Sequence, residues 1–390
     1  MYDFNQVIDR NHTHSVKFDL RAKNGYGDDV LPLWVADMDF PAPPCVTEVL
    51  ADAAKFGIFG YSILDEDYFP ALQDWFFRHF DWRVEPQWLQ NSPGVVFALS
   101  AAVRAFTVPG DRVLVQPPVY YPFYNVVKQN DRVVVESPLV YADGKYTIDF
   151  ADFEKKIVDN GVRMFILCSP HNPVCRVWTR EELQKIGAIC KKYDVVVISD
   201  EIHCDFAFPG HPHIPFPLAC PDMQDRCIVC TAPSKSFNLA GLQVSNIFIP
   251  NEQLREQFKK ELDIACWHEP NLLGMLACHA AYRGGEEWLA ECKLYMRENL
   301  NYVRAFLAEH LPRIRLVEPE GTYFAWLDCS GLGLSKEELD DLILHKAKLW
   351  LDSGAMFGAC AAQFQRVVLA CPRATLEAAM SRLRDAVHTL

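Results

Sequence analysis

A lysine and an aspartate, each following a buried strand pattern, are the side chains of this chain best suited to chemistry. Lys235 lies in the polar run Ala232–Asn238 after the apolar pattern Arg226–Cys230, and Asp200 directly follows the pattern Val195–Ser199. Ligands of α/β sheets bind beyond the carboxyl ends of the strands, so both side chains are predicted at such an edge. A lysine held there beside an anion site can have a lowered pKa and form a Schiff base. A single loop lysine or strand-end aspartate is usually only solvated, so the pair is more informative than either residue.

The turn around Gly94 could bind an anion the size of a phosphate. The run Asn91–Gly94 leads into a helical pattern over Phe97–Phe106. Free backbone N–H groups at Gly94, Val95 and Val96, together with the helix dipole, favour a negative charge there. An ordinary helix start has the same pattern, so this motif is weak by itself.

Three further side chains follow strand patterns. Asn172 precedes a proline in the run Ser169–Val174, and Tyr120 lies in a proline-rich turn. An aromatic ring can stack on a planar ligand, although packing is its commoner role in such a turn. Arg373 follows the pattern Arg366–Ala370, and arginine is the natural bidentate partner of a carboxylate.

The elements that must position these groups alternate between short apolar strands and helical patterns, as in a parallel α/β sheet. The strands are nearly continuous in apolar residues, which is typical of a sheet covered by helices on both faces. The predicted strands are Arg112–Gln116, Arg132–Glu136, Met164–Cys168, Val195–Ser199, Arg226–Cys230 and Ser245–Phe248. A helix over Arg180–Tyr193 is predicted to start at the N-cap Thr179.

The last hundred residues change to an α+β pattern. The predicted elements there are a long helix Glu286–Glu309, strands Arg313–Glu318, Thr322–Leu327 and Arg366–Ala370, and helices Ser335–Leu344 and Thr375–Val387. We therefore predict a large α/β domain over residues 47–285. A smaller α+β domain is predicted from residues 1–46 and 286–390, with residues 1–44 irregular.

Composition limits the classes of partner and compartment. The net charge of −13 and the scattered Lys and Arg residues argue against nucleic acid. No window approaches the ~18 apolar residues that span a bilayer, and the start lacks a signal-peptide pattern. We expect a cytoplasmic protein with no membrane partner, whose 14 cysteines are reduced core residues. Cys227 and Cys230 have zinc-knuckle spacing, but no second pair completes a site, so no metal is expected.

The order of these parts resembles the fold type I pyridoxal-phosphate enzymes of the aminotransferase class I and II superfamily. More narrowly, nearly the whole chain is similar to the MalY/PatB-type cystathionine β-lyases, also called cysteine-S-conjugate β-lyases. The phrases that carry the resemblance are Leu33–Pro41, Ser169–Val174, Ser199–His203, Ala232–Gln243 and Ala370–Arg373. The resemblance implies an α/β fold with a mostly parallel seven-stranded sheet flanked by helices, and a smaller α+β domain that closes over the active site.

The resemblance also implies a cofactor, pyridoxal 5′-phosphate (PLP), bound covalently to Lys235. Lys235 would then remove the Cα proton of the substrate. Asp200 would pair with the pyridine nitrogen of the cofactor and keep it protonated. Asn172 would hydrogen-bond the ring O3′, and Tyr120 would stack on the ring. His203 stands three residues after the aspartate, where many relatives carry a tyrosine, and the resemblance implies a weaker contact of His203 with O3′.

Further roles are implied at the phosphate, at the substrate and at a subunit contact. The backbone of Gly94, Val95 and Val96 and the side chain of Ser234 would hold the phosphate, with Thr231 as a weaker candidate. Arg373 would bind the substrate α-carboxylate, and Ala36 and Asn172 would also contact substrate. Tyr61 resembles a tyrosine that reaches the active site of the neighbouring subunit, which implies a homodimer with shared active sites.

Four positions depart from the family pattern. Gln243 stands where aminotransferases of this fold often place an arginine on the phosphate, and lyases often lack that arginine too. Cys175 replaces a usual glycine, and Val368 a usual asparagine. The segment Phe357–Phe364, with Ala361, Ala362 and Gln363, lacks the common Gly-x-Gly-Phe pattern. These changes affect the predicted substrate side of the pocket more than the cofactor side.

Two reactions fit the predicted residues. An amino acid with a β-thioether, such as cystathionine, would undergo α,β-elimination to a thiol (homocysteine), pyruvate and ammonia. Transamination with a 2-oxo acid would use the same lysine and aspartate. The family phrases and Gln243 favour the carbon–sulfur lyase. A role in binding a regulatory protein partner is the third hypothesis.

Overall fold

The computed structural model describes residues 2–390. Its α-helices are α1 (Val16–Lys23), α2 (Pro44–Phe56), α3 (Tyr68–Phe80), α4 (Val95–Phe106), α5 (Pro122–Lys128), α6 (Phe150–Asn160), α7 (Arg180–Lys192), α8 (Phe216–Ala219), α9 (Pro233–Ser236), α10 (Glu252–Ile264), α11 (Leu272–Gly284), α12 (Glu286–His310), α13 (Lys336–Asp341) and α14 (Arg373–Val387). Its strands are β1 (Leu31–Pro32), β2 (Leu89–Ser92), β3 (Arg112–Val115), β4 (Val133–Glu136), β5 (Val140–Ala142), β6 (Lys145–Thr147), β7 (Met164–Cys168), β8 (Val196–Asp200), β9 (Cys227–Thr231), β10 (Ser245–Phe248), β11 (Arg315–Val317), β12 (Phe324–Asp328), β13 (Leu349–Trp350), β14 (Asp352–Ser353) and β15 (Phe364–Val368).

The main sheet has seven strands in the order β2-β10-β9-β8-β7-β3-β4. Five of them, from β9 to β4, are mutually parallel, and only the pairings of β10 are antiparallel. The predicted mostly parallel seven-stranded sheet is therefore confirmed. Its edge strand β2 was not among the six predicted strands, because its sequence Leu-Gln-Asn-Ser has no apolar run.

Register explains why the strand-end residues meet. In the paired strands β7, β8 and β9, Cys168 lies opposite Asp200, and Asp200 lies opposite Cys230. Three adjacent parallel strands thus end at one edge, where the chain leaves the sheet toward Asn172 and Lys235. The strand interiors are buried, with Ile198 and Ile228 fully covered. A rigid core therefore fixes the positions of these loops.

A second, antiparallel sheet has the order β11-β12-β15-β14. The predicted strands of this part are confirmed, with ends shifted by a few residues, and the long helix is α12. The N-terminal segment joins this part through the parallel pairing of β1 with β13.

The prediction that residues 1–44 are irregular is wrong in part, because they contain α1 and β1. The sequence of α1, Val-Lys-Phe-Asp-Leu-Arg-Ala-Lys, offers little apolar stripe. Two buried charged residues, Lys17 and Arg21, anchor this helix instead. Arg21 donates from Nη1 to the carbonyl oxygens of Asp28 and Val30, at 3.0 and 2.9 Å.

Among residues 2–390, no helix has the length and apolar character needed to cross a lipid bilayer.

Candidate active site

A cavity of about 390 Å³ opens where β7, β8 and β9 end. This volume lies in the range of roughly 300–1,000 Å³ that is typical of small-molecule sites. Ten residues predicted from the sequence line it: Ala36, Gly94, Val95, Val96, Tyr120, Asn172, Asp200, His203, Ser234 and Lys235. The structure thus brings together residues that are up to 199 positions apart in the sequence, from Ala36 to Lys235.

Lys235 lies in the short helix α9, and its partly buried side chain lines the cavity. Its Nζ donates a hydrogen bond of 2.8 Å to the carbonyl oxygen of Ala36. Burial and the positive charge of Arg366 lower the pKa of Lys235 to about 8, against the opposing charges of Asp37 and Asp200. More of this amine is therefore neutral near pH 8 than of an ordinary lysine, and Schiff-base formation and proton abstraction require the neutral form.

Asp200 ends β8 and is 4% exposed. Its Oδ1 accepts the N–H of Ile202 at 3.2 Å, and no cation within residues 2–390 pairs with it directly. Burial raises the pKa of Asp200 to about 7, and the charge of Lys235 opposes this rise. A buried carboxylate without a bonded cation is suited to a protonated nitrogen of a ligand.

The anion end of the cavity is the start of α4. Gly94 precedes this twelve-residue helix, and no side chain caps its first turn. The first backbone N–H groups of the helix, including those of Val95 and Val96, are therefore available to a phosphate. The side chain of Ser234 lines the same cavity and adds a hydroxyl donor.

The surroundings of three side chains in the cavity wall determine their protonation or their hydrogen-bonding role. Asn172 uses Oδ1 to accept a hydrogen bond of 2.9 Å from Nη1 of Arg366, so its NH₂ group remains available as a donor. Burial raises the pKa of Tyr120, which keeps its hydroxyl protonated. Burial, followed by the charges of Lys235 and Arg366, lowers the pKa of His203, so this imidazole is neutral.

Three predicted site residues do not reach this cavity. The Thr231 hydroxyl donates to the carbonyl oxygen of Asn246 at 2.8 Å and is buried inside the sheet. The Arg373 guanidinium donates to Oδ1 of Asn299 at 2.9 Å and lies over the ring of Tyr302. Arg373, predicted to bind the substrate, therefore does not line this cavity, because its contacts with α12 hold it elsewhere.

Tyr61 is the third of these residues. It is fully exposed and lies in a segment where Phe56, Ile58, Phe59 and Ile63 are also exposed. It does not line the cavity of its own chain.

Arg366 was missed as a site residue. It is 3% exposed on β15, and it donates to Asn172, to the carbonyl oxygen of Trp34 at 2.8 Å and to the carboxylate of Asp352. Its Nε is buried without a hydrogen-bond partner within residues 2–390. A charged residue inside an apolar strand pattern is itself a signal of function or pairing, and this signal could have identified it.

The structure also shows the backbone conformation and the surroundings of two residues that depart from the family pattern. Cys175 has φ of 60°, in the left-handed region that favours glycine, so the turn is retained at a cost of ~1–2 kcal/mol. Its Sγ accepts from the Thr322 hydroxyl at 3.2 Å and is fully buried. Gln243 lines the cavity, with its backbone in the same left-handed region at φ of 51°.

The residues present fit PLP. The cavity offers an amine for an aldehyde, an unpaired buried carboxylate for a pyridine nitrogen, a helix start for a phosphate and an aromatic wall at Tyr120. Together with the seven-stranded sheet and its strand-end site, these features define the fold of the fold type I PLP-dependent enzymes.

The chain belongs to the aminotransferase class I and II family, whose model matches residues 28–383. It is 43% identical to the cystathionine beta-lyase PatB of Bacillus subtilis over 385 residues, which cover 99% of this chain and 100% of that protein. The structure of cystalysin from Treponema denticola, which contains a pyridoxal 5′-phosphate cofactor, is similar with a TM-score of 0.96 and 38% identity, covering 100% and 99% of the two chains. The PLP-bound C-S lyase of Staphylococcus hominis has a TM-score of 0.92 and 34% identity, covering 99% and 98%.

Proposed function

We propose that this chain is a PLP-dependent carbon–sulfur β-lyase. Its substrates are L-cystathionine or related cysteine S-conjugates, which it cleaves to a thiol, pyruvate and ammonia. The proposal rests above all on the lysine and the unpaired aspartate that share one cavity, in a chain 43% identical to a cystathionine β-lyase. Gln243, on the wall of the same cavity, supports the lyase over an aminotransferase that would place an arginine there.

The cofactor would be held at five points. Lys235 would bind it covalently, Asp200 would pair with its ring nitrogen, and the N–H groups at the start of α4 with Ser234 would bind its phosphate. Tyr120 would cover its ring, and the free NH₂ of Asn172 would donate to its ring oxygen. When bound, PLP supplies an electron sink for the negative charge that develops at the substrate Cα.

Lys235 would move the proton. Its lowered pKa would leave the amine able to take the Cα proton of a bound substrate. The carbonyl oxygen of Ala36 would hold the free amine in place. The Cβ–S bond then breaks, the thiolate leaves and takes up a proton, and the three-carbon enamine reacts with water to give pyruvate and ammonia.

Arg366 would bind the substrate α-carboxylate, in place of the predicted Arg373. Three of its five N–H groups bind Asn172, Trp34 and Asp352, so two remain for a ligand. Its charge acts on Lys235, and its hydrogen bond to Asn172 ties it to the cavity wall. A carboxylate bound there would place the Cα of an amino acid near the lysine.

The assembly and the compartment belong to the same proposal. A homodimer would cover the exposed apolar residues around Tyr61 and bring that tyrosine into the partner's active site. The free state of the 14 cysteines suits the reducing cytoplasm. The two domains would be residues 47–285 and residues 1–46 with 286–390, the smaller one closing over the cavity.

The test offers L-cystathionine to the PLP-loaded protein with and without a 2-oxo acid, and offers S-alkyl cysteines in parallel. The lyase releases thiol and pyruvate in equal amounts without an oxo acid. Turnover that depends strictly on the oxo acid, with no thiol released, would contradict the proposal and indicate an aminotransferase. Lys235→Ala serves as the inactive control.

A further inference from the structure

The segment Leu33–Pro41, here called the strap, runs past the catalytic lysine and is fixed at both ends. The N–H of Leu33 donates to the carbonyl oxygen of Trp350, and its own carbonyl accepts from Val368. At the other end Asn238 makes hydrogen bonds of 3.0 Å to both the N–H and the carbonyl of Met38. Between these ends, the strap carbonyl at Ala36 accepts from Nζ of Lys235.

Four charged residues meet beside the strap. Arg10 donates to Asp37 and Asp39, at 2.6 Å each. Nζ of Lys17 lies 2.8 Å from Asp39 and 3.7 Å from Asp37, and the Lys17 side chain is fully buried. Two cations and two anions leave this cluster without net charge.

The proposed mechanism gives Arg10 and Lys17 no role, and stability alone is a weak reason for the cluster. A buried ion pair recovers little beyond its desolvation penalty, whereas removing one partner leaves a costly buried charge. Asp37 directly follows Ala36, and its negative charge acts on the amine of Lys235. The cluster thus holds the residue next to Ala36, whose carbonyl also accepts from the Tyr323 hydroxyl at 2.9 Å, and it balances the charge that Asp37 places near the lysine.

We propose that Arg10 and Lys17 are positioning residues for Lys235, which act through Asp37, Asp39 and the Ala36 carbonyl to hold the free amine and to balance the charge beside it. This inference rests on the proposed role of Lys235 as the proton-transferring base. It assigns to the N-terminal segment a function in the chemical step.

The charges around Lys235 determine the sign of the effect. Asp37 faces it from the strap, Asp200 and His203 from β8 and the following turn, and Arg366 from β15. Removing Arg10 leaves the strap with a net negative charge, which favours the protonated lysine and raises its pKa. Removing the charge of Asp37 leaves a net positive charge, which lowers it. The two changes thus act in opposite directions.

The experiment compares Arg10→Met, Asp37→Asn and the double variant as PLP-loaded proteins. Two readouts are followed against pH: kcat/KM, and the visible absorbance of the lysine-bound cofactor. We expect the single variants to shift both profiles by roughly 0.5 pH unit, upward for Arg10→Met and downward for Asp37→Asn. The double variant, whose strap is again neutral, should return toward the wild-type profile.

Controls separate this role from a structural one. Lys23→Met removes an exposed cation from α1, the helix that also carries Lys17, and should leave both pH profiles unchanged. Lys17→Arg keeps the charge and should keep the wild-type profile, whereas Lys17→Met should shift it upward if the protein folds. Arg10 is partly exposed, so its variant tests the idea even where Lys17→Met does not fold.

Shifts of the same sign in Arg10→Met and Asp37→Asn, or no shift in either, would overturn the inference. The absorbance titration reports on Lys235 whatever reaction the protein catalyses. A protein that fails to cleave cystathionine but shows the opposite shifts would therefore contradict the proposed lyase and not the role of the strap.

Discussion

Nη1 of Arg366 donates a hydrogen bond of 2.9 Å to Oδ1 of Asn172, which lies 194 positions earlier in the chain. Arg366 belongs to the antiparallel sheet, and Asn172 follows a strand of the main sheet. Each sheet thus contributes a side chain to the proposed substrate site. A substrate that binds this pair would also hold the two parts of the molecule together.

Arg366→Gln should therefore weaken substrate binding. Loss of one partner of a buried charged hydrogen bond costs ~2–5 kcal/mol, so KM should rise on the order of 100-fold. Arg373→Gln is the matched control, because Arg373 contacts Asn299 and Tyr302 outside the cavity, and its KM should change less than about threefold. Steady-state kinetics on L-cystathionine measure both. The reverse ranking would restore Arg373 as the carboxylate ligand.

Asp200→Asn should lower kcat on the order of 100-fold or more, because an amide cannot stabilise a protonated ring nitrogen as a carboxylate does. The loss should persist at saturating PLP, which distinguishes a changed cofactor from a lost one. Asp200→Glu keeps the charge and should recover part of the rate. Equal activity of Asp200→Asn and wild type would show that this carboxylate does not face the cofactor.

Subunit mixing tests the role of Tyr61. Tyr61→Ala and Lys235→Ala proteins should each be nearly inactive alone. After they are mixed and allowed to exchange subunits, half of the dimers are hybrids with one intact site, so about a quarter of the wild-type activity should return. Two Lys235→Ala preparations mixed together provide the blank. If the mixed variants recover no activity although exchange is demonstrated, Tyr61 does not serve the partner's site.

The buried pair of Arg176 and Glu320 should contribute to stability. Arg176 Nε lies 2.7 Å from Glu320, and the two side chains are 4% and 9% exposed. Glu320→Ala leaves the Arg176 Nε–H and the Val177 N–H buried without their acceptor, although Glu182 still pairs with the guanidinium. The variant should lower the free energy of unfolding by ~2 kcal/mol, as measured by urea denaturation. The exposed neighbour Glu318, which pairs with Arg304, provides the control. Glu318→Ala should lower the free energy of unfolding by less than ~1 kcal/mol. Similar losses in both variants would show that the buried pair matters no more to stability than the exposed one.

Residues at strand ends could be predicted because parallel strands in register finish at one edge. Lys235, Asp200 and Asn172 each follow an apolar pattern, and the cavity lies where those patterns end. Thr231 satisfies the same rule yet points into the sheet, where it bonds the backbone of Asn246. The apolar pattern alone does not determine the face on which a final strand residue lies.

The contacts of Arg366 and of the strap could not be predicted, because they depend on how distant parts of the chain pack and no local sequence pattern indicates that packing. The contacts of Arg366 with Asn172 and of Lys235 with Ala36 span 194 and 199 positions. Arg373 was preferred because it follows a strand, but it begins α14 and packs against α12. Arg10 and Lys17 carry no motif, and only the folded structure places them beside Asp37 and Asp39.

Borohydride trapping identifies the residue that carries the cofactor. The PLP-loaded protein is reduced, digested and examined by mass spectrometry. We expect one modified peptide, heavier by a reduced pyridoxyl phosphate group on Lys235, and none in Lys235→Ala. A modification on another lysine, or an equal yield in the Lys235→Ala variant, would show that Lys235 does not carry the cofactor.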